Sequence, residues 1–271
     1  MKRINKDDIF LLSMKEIGQI KTNMLKKELE ELKNKIKQKE LELEFYGETL
    51  PRIHQRAEDI MNKKQNQSEL LDRNLYNPAL CAVGKYELCK FFEDPIVKNE
   101  LADKIILDIG SGNKEAGKFL KIAGVLEDNY RTIDPFKGKF SRFLCNENQH
   151  ADYPTIEDYM KAECINGIRK DGKKHGGFIC YSDPSNDTNS QEPWDIKSIK
   201  DANMETVLVI TCPIGTSGSL KFNIWITRVI EEKELNWKCV KLIESAFVPQ
   251  NDPNYGATLV MVALLVKVDN T

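Results

Sequence analysis

The sequence predicts an α/β protein: a mostly parallel sheet covered by helices, preceded by a helical N-terminal region. From residue 76 onward, apolar runs typical of strands alternate with helical stretches, which indicates a parallel sheet with helices on both faces. A short turn rich in Asn, Asp and Pro joins the last two runs, which predicts an antiparallel hairpin because a parallel crossover needs a longer connection. Residues 1–75 contain no tryptophan and are dense in Lys, Glu, Leu and Gln, which are good helix formers. We therefore divide the chain into a helical, coiled-coil-like region at 1–75 and an α/β domain at 76–271.

The N-terminal region places its apolar residues at alternating spacings of four and three, typical of a coiled-coil seam. The seam positions are Leu25, Leu29, Leu32, Ile36, Lys39, Leu43, Tyr46 and Leu50, of which only Lys39 is charged. Pro51 is expected to break or kink this helix, and a second helical stretch follows from about Arg52 to Leu71. Two interpretations stay open: residues 17–60 pair with another copy or another protein, or the long helix folds back on its own domain.

The α/β domain contains seven predicted strands separated by helices. The strands are residues 105–109, 130–133, 142–145, 178–181, 206–211, 238–248 and 257–268, and the helices are 114–123, 155–168 and 219–232. Gly124 closes the first of these helices, and Thr155 is a typical N-cap with Asp158 as the acid of a capping box.

Composition excludes several classes of protein. The 271 residues are 41% hydrophobic, which disfavours a wholly disordered chain. With 40 Lys+Arg against 42 Asp+Glu, the net charge of −2 argues against nucleic-acid binding by bulk electrostatics but leaves room for a local basic path. The longest apolar run, Leu259–Val266, is too short to span a bilayer, and no signal peptide is visible, so we expect an intracellular protein of the cytoplasm or nucleus.

The cysteines and histidines predict neither disulfides nor a metal site. Seven cysteines include no C-x-x-C pair, and the three histidines are scattered, so zinc-ligand spacing is absent from the sequence. We expect reduced and mostly buried thiols.

The most informative segment follows the first predicted strand. This strand carries Asp108 near its end, and Gly110 and Gly112 then form a tight turn into a helix. A ligand at this turn would lie at the carboxyl edge of the sheet beside a helix N-terminus. The third glycine of the dinucleotide fingerprint would be residue 115, which is a glutamate here, and Glu115 together with Asp108 disfavours a pyrophosphate. Asp108 is joined by a second acid, Asp134, which ends the next strand. These two carboxylates suit a ribose and a cationic amino-acid tail, because a carboxylate accepts hydrogen bonds from hydroxyl and ammonium groups.

The Leu107–Gly112 turn, the acid at 134 and the closing hairpin resemble class I S-adenosylmethionine-dependent methyltransferases over roughly residues 80–268. The resemblance implies a Rossmann-like, mostly parallel seven-stranded sheet, with S-adenosyl-L-methionine as cofactor. It implies that the glycine turn holds the methionine part and that the acid after the second strand holds the ribose. The implied cofactor-binding residues are Asp108, Gly110, Ser111, Gly112, Asp134 and, on the adenine side, Asn146. A Rossmann-like domain that binds another nucleotide, or none, is the alternative.

In this family the catalytic residues follow the fourth strand, where Asp183-Pro184 stands here. Methylation of a base amino group is one alternative, but Ser185 and Asn186 replace the second proline and the aromatic of that family pattern. Ribose 2′-O-methylation uses a Lys-Asp-Lys-Glu set, for which Lys90 and Asp183 are the candidates.

Two members of that set are missing, because Thr211 stands where the second lysine is expected and residues 256–258 lack the glutamate. A catalytically degenerate, methyltransferase-like subunit that assembles through its N-terminal helices is therefore the third possibility.

Two basic clusters bear on the substrate. They are Arg169, Lys170, Lys173, Lys174 and His175 before the fourth strand, and Lys137, Lys139 and Arg142 after the second. The second cluster could meet a phosphate backbone at the cofactor rim, although both could be solvated loops. We expect a methyltransferase acting on nucleic acid, with RNA ribose 2′-O, in a cap or internally, as the preferred acceptor.

Overall fold

The computed structural model describes residues 14–64, 83–110, 117–134, 151–180, 193–213, 218–247 and 257–268. The chain divides into two compact units, Met1–Glu48 and Thr49–Thr271.

The first unit is built on one long helix, α1 (Met14–Glu44), which continues into a π-helical turn at Phe45–Thr49. This helix confirms the predicted helical N-terminus. The apolar seam residues Leu25, Leu29, Leu32, Ile36, Leu43 and Tyr46 are each more than half exposed. An ion pair between Lys39 and Glu42, three residues apart on the same helix, contributes a few tenths of a kcal/mol at most, about 0.2–0.5 for such pairs.

The second unit is organised around a six-stranded sheet, with a separate two-stranded hairpin. The described strands of the unit are β1 (Ile105–Ile109), β2 (Tyr130–Ile133), β3 (Cys164–Ile165), β4 (Ile168–Arg169), β5 (His175–Cys180), β6 (Thr206–Thr211), β7 (Trp237–Phe247) and β8 (Thr258–Lys267). The sheet order is β2-β1-β5-β6-β8-β7, and β3 pairs with β4 in a separate hairpin. β2, β1, β5 and β6 run parallel, whereas β8 is antiparallel to both β6 and β7. The predicted class, a Rossmann-like and mostly parallel sheet with a C-terminal antiparallel hairpin, is confirmed.

The outer edge of β2 is covered by an isolated parallel bridge rather than by a strand within the described residues. Tyr153 pairs with Ile133, and its backbone N–H donates to the carbonyl of Thr132 at 3.1 Å. The seventh predicted strand, at 142–145, lies outside the described residues.

Helices pack on the sheet through aromatic side chains. The described helices are α2 (Leu50–Lys64), α3 (Lys85–Glu93), α4 (Pro95–Leu101), α5 (Gly117–Ile122), α6 (Ile156–Glu163), α7 (Trp194–Asp201) and α8 (Leu220–Ile230). Phe92 of α3 stacks on Phe119 of α5 with ring centroids 5.6 Å apart, and it meets Phe178 of β5 edge-on at 6.5 Å. β1 is buried at all five positions, as expected of a central strand between two covered faces.

Helix α2 packs on the antiparallel hairpin. Pro51 is the second residue of α2, which directly follows the π-helical turn Phe45–Thr49, so the regular α-helix is interrupted where the sequence predicts a break or kink. Ile53 and Ala57 are buried, and Arg56 pairs with Glu244 of β7 at 2.5 Å. The predicted extension of this helix beyond Lys64 lies outside the described residues.

Two sequence-based boundaries in the domain are corrected. The helix predicted at 155–168 ends at Glu163, because Asn166 and Gly167 have φ angles of 51° and 80° and form a tight turn between β3 and β4. Thr155 is the N-cap as predicted, since its hydroxyl accepts from the N–H of Asp158 at 3.1 Å. The strand predicted at 178–181 begins earlier, so His175 is a buried strand residue and not part of an exposed basic loop.

Candidate functional site

The parallel part of the sheet has a topological switch point between β1 and β5. The chain passes from β1 to β2 on one side and then returns to β5 on the other. Crevices at such a point, outside the carboxyl ends of the strands, are the usual ligand sites of open α/β sheets. Gly110 directly follows β1 and Asp134 directly follows β2, so both lie at this edge. The N–H of Gly110 donates to the carbonyl of Ile133 at 2.8 Å, which joins the two strand ends.

Gly110 is held by two constraints that require no ligand. Its φ angle is +71°, a conformation that L side chains rarely adopt. A Cβ at this position would lie only 2.9 Å from Cη2 of Trp194, because the indole ring of Trp194 covers the turn. The sequence interpretation ascribed this glycine to a tight turn with positive φ and to room for a ligand, and close packing by Trp194 adds a further reason.

Asp108 forms a buried pair with Tyr130. The carboxylate is 2% exposed and accepts a hydrogen bond from the Tyr130 hydroxyl. Burial and the neighbouring Asp108 raise the pKa of Tyr130, so the phenol remains the donor. The hydroxyl also lies against Gly117, where a Cβ would collide with it. Asp108 therefore fixes the start of α5 against β2 through the hydroxyl of Tyr130.

Asp134 is half-buried, and the backbone around it is held by the edge of β2. Its N–H donates to the carbonyl of Tyr153 at 3.1 Å. The neighbouring Asp152 accepts from the N–H of Thr132 at 2.8 Å and from its hydroxyl at 3.0 Å. This network sets the direction in which the chain leaves β2 and hence the position of Asp134.

A cavity of about 670 Å³ lies beside β2. It is within the 300–1,000 Å³ range common for small-molecule sites. Its described lining combines basic and acidic side chains around Tyr130: Lys118, Lys121, Arg131, Glu127, Asp128 and Asp152. Because Tyr130 also contacts Asp108, the cavity adjoins the buried pair at the end of β1.

The starts of α7 and α8 are joined at the same edge by a buried carboxylate. Asp195 is fully buried and accepts from the N–H and the hydroxyl of Ser219, each at 3.2 Å. The Ser219 hydroxyl in turn caps α8 by accepting from the N–H of Phe222 at 3.1 Å. This bridge anchors the first turn of α7 and so holds Trp194 over Gly110.

Sequence reasoning overlooked α7 and Asp195, because the segment 183–203 is polar enough to resemble an exposed loop. The available signal was Pro193 immediately before Trp194 and Asp195, a typical start of a helix.

Lys90 lies on the solvent side of α3, whose buried side consists of Leu88, Phe91 and Phe92. Its ammonium lies 4.1 Å above the ring of Tyr86 and 3.6 Å from a carboxylate oxygen of Glu87. Hydrogen bonding to Tyr86, with the nearby charge of Glu87, raises the pKa of Lys90. The other predicted site residues, Ser111, Gly112, Asn146 and Asp183, lie outside the described residues. The structure therefore brings together Asp108, Gly110 and Asp134 of the predicted set.

Thr211, which stands where the second lysine of the Lys-Asp-Lys-Glu set is expected, and Glu244 of β7 each contact another residue of the domain. Thr211, at the end of β6, is buried and donates to Oδ1 of Asn223 at 3.3 Å. Glu244 pairs with Arg56. These contacts give both residues structural partners within the domain.

The first basic cluster lies at the opposite edge of the sheet from Asp108. His175 begins β5 and pairs with Ile105, the first residue of β1. Arg169 pairs with Glu163 at 3.1 Å and with Asp171 at 2.8 Å, so its charge is compensated locally. A five-residue strand separates this cluster from the switch point by roughly 16 Å. The second cluster, Lys137, Lys139 and Arg142, lies outside the described residues.

Among the described residues, no group of three or more His, Cys, Asp or Glu side chains is placed to hold a metal ion. None of the described helices is both long and apolar enough to cross a bilayer.

The chain is similar to several solved methyltransferase structures. A candidate RNA methyltransferase from Pyrococcus horikoshii shares 12% identity over 73% of this chain and 89% of its own, with a TM-score of 0.39. An rRNA methylase from Streptococcus thermophilus shares 15% identity over 64% and 95%, with a TM-score of 0.32. A candidate methyltransferase from Streptococcus mutans, in complex with SAH, shares 15% identity over 64% and 96%, also with a TM-score of 0.32.

No protein-family model and no curated protein matches the chain. Identities of 12–15% with TM-scores below 0.5 do not define the family of this chain.

Proposed function

We propose that the domain is a class I methyltransferase that binds S-adenosyl-L-methionine and acts on RNA. The observation that carries this proposal is the meeting of Asp108, Gly110 and Asp134 at the switch point of a parallel sheet. Two carboxylates beside a glycine turn suit a ligand that has a ribose diol and a positive charge, and they disfavour a polyphosphate.

The residues present fit this cofactor. Asp134 would accept hydrogen bonds from both ribose hydroxyls, and Asp108 would supply negative charge toward the methionine ammonium while it holds the start of α5 through Tyr130. Ser111 and Gly112 would continue the turn around the methionine part, and Asn146 would contact the adenine.

The preferred acceptor is a ribose 2′-O of RNA, in a cap or internally. When bound, the cofactor supplies an electrophilic methyl group, so the protein must orient the hydroxyl and stabilise the charge that develops when it loses its proton. Asp183 is our candidate for the residue beside the acceptor. Lys90, whose raised pKa keeps it cationic, suits a phosphate or the developing oxyanion and not a proton acceptor. An RNA substrate implies a cytoplasmic or nuclear protein.

A second candidate function is a methyltransferase-like subunit that binds the cofactor without transferring its methyl group. The observation in its favour is Thr211, which stands where a catalytic lysine is expected and is buried in a hydrogen bond with Asn223. Methylation of a base amino group remains a third candidate, for which Trp194 at the sheet edge offers an aromatic surface.

Calorimetry with S-adenosylmethionine and with S-adenosylhomocysteine tests the cofactor site. We expect binding by the wild type and at least tenfold weaker binding by Asp134→Asn, because two hydrogen bonds to a carboxylate would be weakened. Asp103→Asn is the matched control, since Asp103 is an exposed acid near the amino end of β1, at the opposite edge of the sheet. Equal affinities of the two variants, or no binding by the wild type, would overturn the site.

Transfer of a tritiated methyl group to RNA, DNA and protein substrates then separates the candidate functions. If the leading proposal is correct, the label enters RNA and remains there after the bases are removed. Asp183→Asn should then reduce the transfer at least a hundredfold. Cofactor binding without transfer to any substrate favours the non-catalytic subunit. Label that is released with the bases favours amino-group methylation.

A further inference from the structure

We propose that α1 pairs with the same helix of a second copy of the chain in an antiparallel two-stranded coil. The contact surface is the α1 seam, defined as Leu25, Leu29, Leu32, Ile36, Lys39 and Leu43. Its five apolar members are between 53% and 74% exposed. Single exposed leucines are ordinary, but a continuous row of them along one helix face is typical of an interaction surface.

The seam follows a heptad repeat. Leu29, Ile36 and Leu43 occupy position a, and Leu25 and Lys39 occupy position d together with Leu32. A helix of 31 residues is about 46 Å long, which is enough for four heptads. Spacings of four and three keep this row facing a partner helix along that length.

Charges beside the seam identify the partner as a second copy. The g positions alternate in sign along α1: Lys21, Glu28, Lys35 and Glu42. In an antiparallel pair, g positions face g positions of the partner, so an alternating row is complementary to itself. With Leu29 placed opposite Leu32 of the second copy, Glu28 faces Lys35 and Lys21 faces Glu42, and each pair occurs twice. On the other side of the seam, Lys26 faces Lys33 of the second copy. Their repulsion opposes the four attractions but does not cancel them.

Lys39 decides the direction of pairing. In a parallel, in-register pair Lys39 would face its own copy across the seam, and two like charges would be partly desolvated together. In the antiparallel alignment Lys39 faces Thr22 near the end of the contact, while Ile36 faces Leu25. The central layers are then wholly apolar. The ammonium of Lys39 keeps its partner Glu42 on the same helix at 2.5 Å.

Sedimentation equilibrium of the full-length chain tests the pairing. We expect the wild type at twice the chain mass and Leu29→Asp plus Ile36→Asp at the chain mass, because two carboxylates would enter the seam. The control is Asn23→Asp plus Asn34→Asp, which adds the same charge at exposed positions away from the seam and is expected to remain dimeric. Circular dichroism checks that each variant keeps its helix. A monomeric wild type, or a seam variant that remains dimeric, would overturn the proposal.

Exchanging the charges of Glu28 and Lys35 tests whether the two α1 helices run antiparallel or parallel. Glu28→Lys alone and Lys35→Glu alone should each weaken self-association roughly tenfold, since each replaces two attractive pairs by two repulsive ones. The double variant should return to within about threefold of the wild type, because the same pair is restored with its signs exchanged. In a parallel pair Glu28 would face Lys33 and Lys35 would face Glu40, so the double variant would be weaker than either single variant. That result would overturn the antiparallel arrangement.

Discussion

Replacing Gly110 with alanine separates the two constraints on the turn at the end of β1. The φ angle of +71° costs an L residue about 1–2 kcal/mol, and the approach of the new Cβ to Trp194 at 2.9 Å adds roughly 1–3 kcal/mol of overpacking. We therefore expect the free energy of unfolding, measured in urea, to fall by about 2–5 kcal/mol.

Gly124→Ala is the matched control for backbone strain alone. Gly124 has a φ angle of +84°, and a Cβ there would meet nothing within 4 Å, so we expect it to cost only about 1–2 kcal/mol. In a Trp194→Ala background the cost of Gly110→Ala should fall to that of Gly124→Ala, because the obstructing ring is gone. If Gly110→Ala costs no more than Gly124→Ala in the wild-type background, the packing argument is wrong.

Three further predictions concern the buried polar groups around the site and beneath the sheet. Asp195→Ala should lower the free energy of unfolding by about 2–4 kcal/mol, since the N–H and hydroxyl of Ser219 lose their acceptor. Asp195→Asn keeps an acceptor and should lower it less. Equal losses of the two variants in urea titrations would refute the hydrogen-bond account. Tyr130→Phe should lower the free energy of unfolding by about 1.5–3 kcal/mol, because it removes a hydrogen bond to the buried Asp108. A decrease below about 0.5 kcal/mol, which is typical of surface substitutions, would contradict the pairing. Burial lowers the pKa of His175 below its ordinary 6.5, so the unfolded chain binds a proton that the folded chain does not. The stability linked to His175 is thus present above its ordinary pKa of 6.5 and is lost as the pH falls below that value. His175→Gln should therefore flatten the pH dependence of the free energy of unfolding below pH 6.5. An unchanged slope there would assign the dependence to other groups.

The strands could be predicted closely because burial on both faces requires uninterrupted apolar runs. The predicted bounds of β1, β2 and β6 coincide with those in the structure. The helix after Thr155 was overextended because hydrophobic periodicity continues past Glu163, whereas the Asn166-Gly167 turn ends it through backbone conformation. Helix α7 was overlooked because a short helix in a polar segment has little periodicity, and it is held by tertiary contacts such as Asp195 with Ser219.

By itself, the sequence determined the parallel architecture and the acids at the ends of its strands. Side-chain periodicity dictates how strands are buried, and parallel strands bring their carboxyl ends to one edge. The tertiary structure alone decided what surrounds those acids: Trp194 over Gly110, and Tyr130 bonded to Asp108. These contacts join residues far apart along the chain, and their geometry depends on how helices pack on the sheet, which no local pattern encodes. The α1 seam is a second example: the sequence alone predicts its heptad repeat, whereas only the structure shows that the row of apolar side chains is exposed.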